Sequence, residues 1–332
     1  VCVRPGTDGA LACALMHVLF RDGKADRAYL KEFTDCPDAL ETHLASRDPA
    51  WAEAISGVPA SQIETLASMI GSTPKTFFRL GYGFTRQRNG AASMHAALSI
   101  AAVAGSWRHE GGGAFHGNGG IYHWDKTLIE GLDCLDPKVR VLDQSRIGPI
   151  LTGDRQDLGD GPPVTALLIQ NTNPMSVAPD LNRVHDGFAR EDLFVCVHEQ
   201  FMTETAQVAD IILPATMFLE HDDVYQAGGH QHITLGPRIV NPPEGCRSNH
   251  EVICALAKRL SANHAGFDMS PRELIDRTLQ DSGWGNLQDL EQKHWIDCQP
   301  AFRDAHYLDG FAHDDGRFHF SPDWNALLPH GF

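Results

Sequence analysis

The run Val164-Thr165-Ala166-Leu167-Leu168-Ile169-Gln170, closed by Asn171-Thr172-Asn173-Pro174, decides the fold class. It is short and nearly continuous in apolar residues, the pattern of a strand covered on both faces. Asn and Pro then turn the chain. Residues 179–189 carry a helical pattern, Leu193-Phe194-Val195-Cys196-Val197 repeats the apolar run, and 209–213 makes a third short strand stopped by Pro214. Strands separated by helices pair in parallel, because each helix carries the chain back to the start of the next strand. The predicted class is α/β, with parallel sheets flanked by helices in a Rossmann-like, doubly wound arrangement.

Upstream, Val1-Cys2-Val3 reads as the end of a strand. Residues 8–20 follow with apolar positions 11, 14, 15, 18 and 19, a helical period that Thr7 or Asp8 can cap. Helices are predicted at 26–33, 38–45 and 61–70. Residues 75–83 read as a strand entering a glycine loop, before an Ala-rich helix and a second glycine-rich loop at 111–120. Residues 125–160 are mixed and loop-rich. Further helices are predicted at 251–260 and 271–279, and Arg317-Phe318-His319-Phe320 as one isolated strand. Three domains are expected: 1–75 as the remainder of a first α/β cofactor-binding domain, 76–262 as a second, and 263–332 as an irregular connection.

Composition narrows the function. The 332 residues hold 27 Lys and Arg against 43 Asp and Glu, a formal charge of −16. That balance argues against a nucleic-acid surface, where basic side chains must replace phosphate counterions. The Ala-rich run 89–107 is broken by Asn, Ser and His and reads as a buried helix, so no direct membrane insertion is expected. Eight scattered cysteines, with no C-x-x-C, exclude a local zinc ribbon or ferredoxin-like cluster motif. Free thiols suit a reducing compartment and hence the cytoplasm. The periplasm stays open, because an opening without Met or leader reads as a piece of a longer polypeptide.

Three loops at the C-terminal ends of probable strands are the ligand candidates, as in open α/β sheets generally. In Arg4-Pro5-Gly6-Thr7-Asp8, the helix start favours an anion, or Asp8 accepts from a guanine edge; a plain helix cap is the rival reading. Gly81-Tyr82-Gly83-Phe84-Thr85-Arg86-Gln87-Arg88 is not a dinucleotide fingerprint, since Arg86 stands at the third glycine position. Yet residues 75–90 carry Lys75, Arg79, Arg86 and Arg88 and no acid, a local +4 in a −16 chain. That suits a phosphate-rich ligand, against a merely solvated basic face. Asn171-Thr172-Asn173-Pro174-Met175-Ser176 either holds a pyrophosphate or ribose or is simple turn chemistry. Glu220-His221-Asp222-Asp223 and His230-Gln231-His232 hold metal-ligand residue types without a specific pattern, and no metal ligands are assigned.

Taken in order, R-P-G-T-D at 4–8, G-Y-G at 81–83 before Asn89-Gly90 and the Ala-rich helix, A-G-S-W-R-H-E-G-G-G at 104–113, N-T-N-P at 171–174, E-Q-F-M-T-E-T-A at 199–206 and A-D-I-I-L-P-A at 209–215 form one set. With Glu220 and Gly228-Gly229 after it, this set resembles the molybdopterin oxidoreductases of the dimethyl sulfoxide reductase and formate dehydrogenase superfamily, from about residue 4 to about residue 260. The resemblance implies two molybdopterin guanine dinucleotides around one molybdenum or tungsten. It implies that Arg4, Gly6, Thr7 and Asp8 serve one guanosine end. It also implies that Asn171, Asn173, Ser176, His198 and Thr203 line the nucleotide site of the other, with Gly83 and Arg86 near that second group's phosphates or pterin. Family members place an iron–sulfur cluster, [4Fe-4S], and the molybdenum ligand before the stretch corresponding to Val1, and a closing domain after Phe332. The fragment alone is therefore expected to be inactive.

The implied activity is two-electron redox or oxygen-atom transfer on a small substrate, with an electron-transfer partner. Formate dehydrogenases of the family carry Arg-Gly-Gln-Asn after the glycine-rich loop. Here that region reads Ala114-Phe115-His116-Gly117-Asn118, with no arginine between Arg108 and Arg140, which speaks against formate. His116 and Asn118 are the candidates for facing the metal cavity, where His can donate a proton to an oxygen. Two rivals stay open: a cofactor-free structural relative, as in respiratory complex I, and a simple guanine-nucleotide-binding module.

Overall fold

A computed structural model describes residues 1–323. The last nine positions of the expected 263–332 connection lie outside the described residues. The helices are α1 (Asp8–Arg21), α2 (Arg27–Phe33), α3 (Pro37–Leu44), α4 (Pro49–Ser56), α5 (Ala60–Ser72), α6 (Gly90–Val103), α7 (Thr127–Glu130), α8 (Ile147–Leu151), α9 (Arg155–Leu158), α10 (Pro174–Val177), α11 (Leu181–Phe188), α12 (Glu204–Gln207), α13 (Asn249–Leu260), α14 (Pro271–Asp281), α15 (Leu287–Lys293) and α16 (Phe302–Ala305). The strands are β1 (Phe77–Arg79), β2 (Gly113–Phe115), β3 (Ala166–Gln170), β4 (Phe194–Glu199), β5 (Ile211–Pro214), β6 (Asp223–Tyr225), β7 (His232–Gly236) and β8 (Trp295–Asp297). Among the described residues no helix is long and apolar enough to cross a membrane, and all eight cysteines are free thiols.

Two compact units divide the chain: Val1–Ile121 with Gln299–Phe332, and Tyr122–Cys298. The divisions expected after 75 and 262 are displaced, for a packing reason. Helix α1 buries Leu15, Val18 and Leu19 in a core that takes Ile63 and Ile70 from α5 but also Ile100 and Val103 from α6. A boundary before α6 would cut that core.

In the first unit β1 and β2 pair in parallel, Phe77 opposite Gly113 and Arg79 opposite Phe115. Residues 1–3 form no strand; the Arg4 N–H donates to Ser56 O at 3.0 Å, at the end of α4, a helix the sequence reading had not resolved. Nor is 317–320 a strand. Only Phe318 bridges, to Thr34, because this returning segment is held largely by side chains. Asp35 Oδ1 accepts from the Phe320 N–H at 3.0 Å, Arg317 donates to Thr34 O at 2.9 Å, and His95 Nε2 lies 2.8 Å from His319 O.

Burial acts to raise the Asp35 carboxyl, but the N–H groups of Phe320 and Cys36 and the Cys36 thiol outweigh it and leave it below its ordinary value. A carboxyl lowered in the folded state contributes stability above the unfolded carboxylate range, lost as pH falls through its folded value. Exchange protection of the Phe320 amide is thus expected to drop on acidification through that range. An Asp35→Asn variant should lack this dependence; equal acid sensitivity in both proteins would refute it.

The second unit holds the parallel sheet that the opening run foretold, in the order β3-β4-β5. Its register sets Gln170 beside His198 and His198 beside Leu213. The strands are not covered on both faces. Ile169, Val195 and Val197 are buried, while Leu168 (46%), Phe194 (47%) and Ile211 (45%) stand exposed on the other face. A third sheet, β6-β7-β8, is antiparallel and was not foreseen, since β8 lies some sixty residues after β7. Ser248 and Ser270 start α13 and α14 with reciprocal capping boxes to Glu251 and Glu273.

Candidate functional site

In the first unit, two loops leave the same ends of the parallel strands. Gly81-Tyr82-Gly83 follows β1 and His116 follows β2; the Tyr82 and His116 rings meet edge to face with centroids 5.0 Å apart. The 4–8 loop joins them, because the Asn89 amide donates to Gly6 O at 2.8 Å. Gly6 has φ +83°, and a Cβ there would approach Gln87 Oε1 to 3.4 Å. That contact is an ordinary one, and it is the turn that favours glycine here. Gln87 and Asn89 thus tie the loop that carries Gly83 and Arg86 to Gly6 within the first unit.

The side chains divide into spent and unspent. Arg4 is spent: Nη1 donates to Ala54 O and Ile55 O, both at 3.2 Å, at the negative end of α4. Thr7 is spent too, its hydroxyl donating to Arg4 O at 2.6 Å rather than capping α1. Arg79 donates to Leu80 O and His116 O and lies 5.0 Å over the Phe115 ring, which removes it from the expected basic cradle. Arg86 and Arg88 remain exposed, with no ion pair among the described residues. Asp8 Oδ2, Gln87 Oε1 and His116 Nδ1 are buried with no hydrogen-bond partner. Gly81 and Gly83 border open space. A carboxylate oxygen and an amide oxygen left without donors suit a ligand edge that presents N–H groups, and the two free guanidinium groups suit phosphates. Asn118 starts a turn, its carbonyl accepting from the Ile121 N–H at 3.1 Å.

In the second unit the predicted residues are mostly satisfied by one another. Asn173 donates to Glu204 Oε2 at 2.7 Å and accepts from the Thr205 hydroxyl at 2.7 Å; Ser176 donates to the same carboxylate at 2.8 Å. The Asn173 amide, the Glu204 backbone and the Ser176 hydroxyl hold the Glu204 carboxyl below its ordinary value. Thr203 caps α12 by accepting from the Ala206 N–H at 3.2 Å. His198, 0% exposed, is held at both ring nitrogens, by the Gln170 amide at 3.0 Å and by Arg247 O at 2.9 Å. A residue so enclosed lines no nucleotide site directly.

Asn171 differs. It adopts φ +58°, uncommon outside glycine, and borders a cavity of about 450 Å³. Gln200, Thr216, His221, Asn249 and Thr278 share that cavity, and Thr278 Oγ1 is buried without a partner. Gln200 lies inside the 199–206 motif and Gln87 inside the basic stretch, so both were within reach of sequence reading. Asn249 and Thr278 carry no local signal and enter only by folding. Outside this cavity, Asp133, Cys134 and His264 cluster. The Gly266 N–H donates to His264 Nδ1 at 3.2 Å, so Nε2 carries the proton and donates to Asp133 at 3.0 Å, a pairing that engages both nitrogens of the ring.

Residues 1–259 match the family model described as Molybdopterin oxidoreductase. The chain is 35% identical over 290 residues to a probable oxidoreductase, YoaE, of Bacillus subtilis (strain 168), covering 87% of this chain and 42% of that protein. It is 28% identical over 350 aligned positions to biotin sulfoxide reductase of Cereibacter sphaeroides, covering 95% of this chain and 46% of that protein. The structure of acetylene hydratase from Pelobacter acetylenicus superposes with a TM-score of 0.74 at 18% identity, covering 98% of this chain and 49% of that one, a likeness of fold. The chain thus spans less than half the length of these relatives.

Proposed function

The chain belongs to the molybdopterin oxidoreductase family, and from that premise we propose that it is the cofactor-holding centre of a molybdenum enzyme acting on a small substrate. The cofactor we infer is the bis-molybdopterin guanine dinucleotide form. One observation carries this reading: the buried, donorless Asp8 Oδ2 at the head of α1, beside a loop whose Arg86 and Arg88 have no ion pair among the described residues. An acceptor without donors is costly to bury unless a ligand supplies them. A guanine edge has the N–H groups, and a pyrophosphate has the charge. Asp8 and Gln87 would hold the base, and Arg86 and Arg88 the phosphates. The cavity at Asn171, Gln200 and Asn249 is our candidate seat for the second nucleotide. When bound, the cofactor supplies the two-electron chemistry; the chain's residues bind and orient it.

His116 is our candidate for contact with the substrate. Its unpartnered Nδ1 can hold or donate a proton toward a substrate oxygen. The relative named biotin sulfoxide reductase supports oxygen-atom transfer. The absence of arginine between Arg108 and Arg140 supports a substrate other than formate.

The test is elemental analysis of the full-length protein from cells with intact pterin synthesis. The expected result is about one molybdenum atom per chain. Absence of metal would instead favour the cofactor-free structural relative. Binding of GDP with no pterin in the purified protein would favour the nucleotide-binding module.

A further inference from the structure

We propose that His198 is a positioning residue, the link that fixes the first turn of α13 against the strand ends and so shapes the second-unit cavity; the inference rests on reading that cavity as a nucleotide seat. His198 lies at the C-terminal end of β4 and is wholly enclosed. Arg247 O accepts from the ring at 2.9 Å, so Nε2 bears the proton. Nδ1 is then an acceptor, and the Gln170 side-chain amide donates to it at 3.0 Å. One imidazole therefore joins the last residue of β3, through β4, to the backbone just before α13.

Arg247 is otherwise held by the sheet as if it were one residue of a further strand. Its N–H donates to Pro214 O at 3.0 Å, and its carbonyl also accepts from the Thr216 N–H at 3.1 Å. Each segment so joined continues into the cavity wall. Asn171 follows Gln170, Gln200 follows His198 by two residues, Thr216 follows β5, and Ser248 and Asn249 follow Arg247. The histidine touches none of the cavity space that these residues border, yet their spacing depends on it. A leucine at 198 would keep the volume but leave the half-buried Gln170 amide without this acceptor and the Arg247 carbonyl short of one donor. Glutamine can present one acceptor and one donor and should preserve both bonds.

The experiment uses full-length protein from a strain unable to make the pterin, with Asp8→Asn as the common background so that binding reports the second unit. The probe is mant-GDP, followed by fluorescence titration, with amide exchange of residues 246–250 measured in parallel. His198→Leu should weaken mant-GDP binding roughly 10- to 100-fold and speed exchange at 246–250. His198→Gln should stay within about threefold of the parent on binding and match it in exchange. Unchanged exchange in the leucine variant, or equal loss in both variants, overturns the positioning role. If the parent does not bind mant-GDP while the exchange pattern appears as expected, the nucleotide reading of the cavity falls and the link between His198 and α13 stands.

Discussion

Replacing Asp8 by Asn is expected to strip most of the molybdopterin from the full-length protein while leaving its fold as stable as before, or slightly more so. The two effects have opposite signs for one reason. In the chain by itself Asp8 Oδ2 is buried without a donor, a cost that offsets what a carboxylate gains in the first turn of a helix. An amide carries no charge and reduces that cost. Toward the ligand the balance reverses. A carboxylate accepts at both oxygens, whereas an amide must turn its NH2 group toward one of the N–H groups it should receive. Losing a charge-assisted hydrogen bond costs about 1.5–3 kcal/mol, or roughly 10- to 100-fold in affinity. Molybdenum and pterin per chain should fall accordingly, with thermal unfolding unchanged or shifted upward. A variant that keeps full cofactor content would remove Asp8 from the site. A variant that loses both cofactor and stability would make Asp8 a structural cap, the bland reading of Arg4–Asp8.

The second large effect is expected at Gly90. Alanine normally stabilises a helix by about 1 kcal/mol relative to glycine. Here the sign should invert. A Cβ on Gly90 would lie 1.6 Å from the carbonyl oxygen of Phe84 and 2.7 Å from its carbon. Those are backbone atoms of the turn that carries Gly83 and Arg86, so no flexible side chain can yield. Either α6 shifts, disturbing Ile100 and Val103 in the α1 core, or the 81–88 loop moves off Gly6. Overpacking of this kind costs about 2–4 kcal/mol. Gly90→Ala should therefore show a lower urea midpoint than the parent and reduced molybdenum content. A midpoint at or above the parent's would mean that the close approach of helix and loop is not maintained in solution.

The local sequence determined much of this protein. Apolar runs of strand length divided by turn residues fixed the parallel β3-β4-β5 sheet, and a period near 3.6 fixed α1, whose limits came within a residue of those read from 8–20. Loops that follow parallel strands are ligand loops in this class, so the 81–88 stretch after β1 stood out before any fold was known, whereas Gly6 and Asp8 stood out on a strand at 1–3 that the fold does not form. These signals are short-range: a cap, a turn or a buried face is encoded within a few residues.

Tertiary structure alone decided which polar atoms are spent. Arg4, Arg79, Asn173 and His198 looked like ligand groups because their residue types are, but each is consumed by a partner in its own unit. For Arg4, Arg79 and Asn173 that partner lies between 31 and 51 residues away. For His198 it lies 28 and 49 residues away. Folding also brought the 81–88 loop to Gly6, some 80 residues back, and Asn249 and Thr278 to one cavity with Asn171. The physical reason is the same throughout. Whether a buried donor or acceptor is free for a ligand depends on what else reaches it, and that is a property of the packed chain.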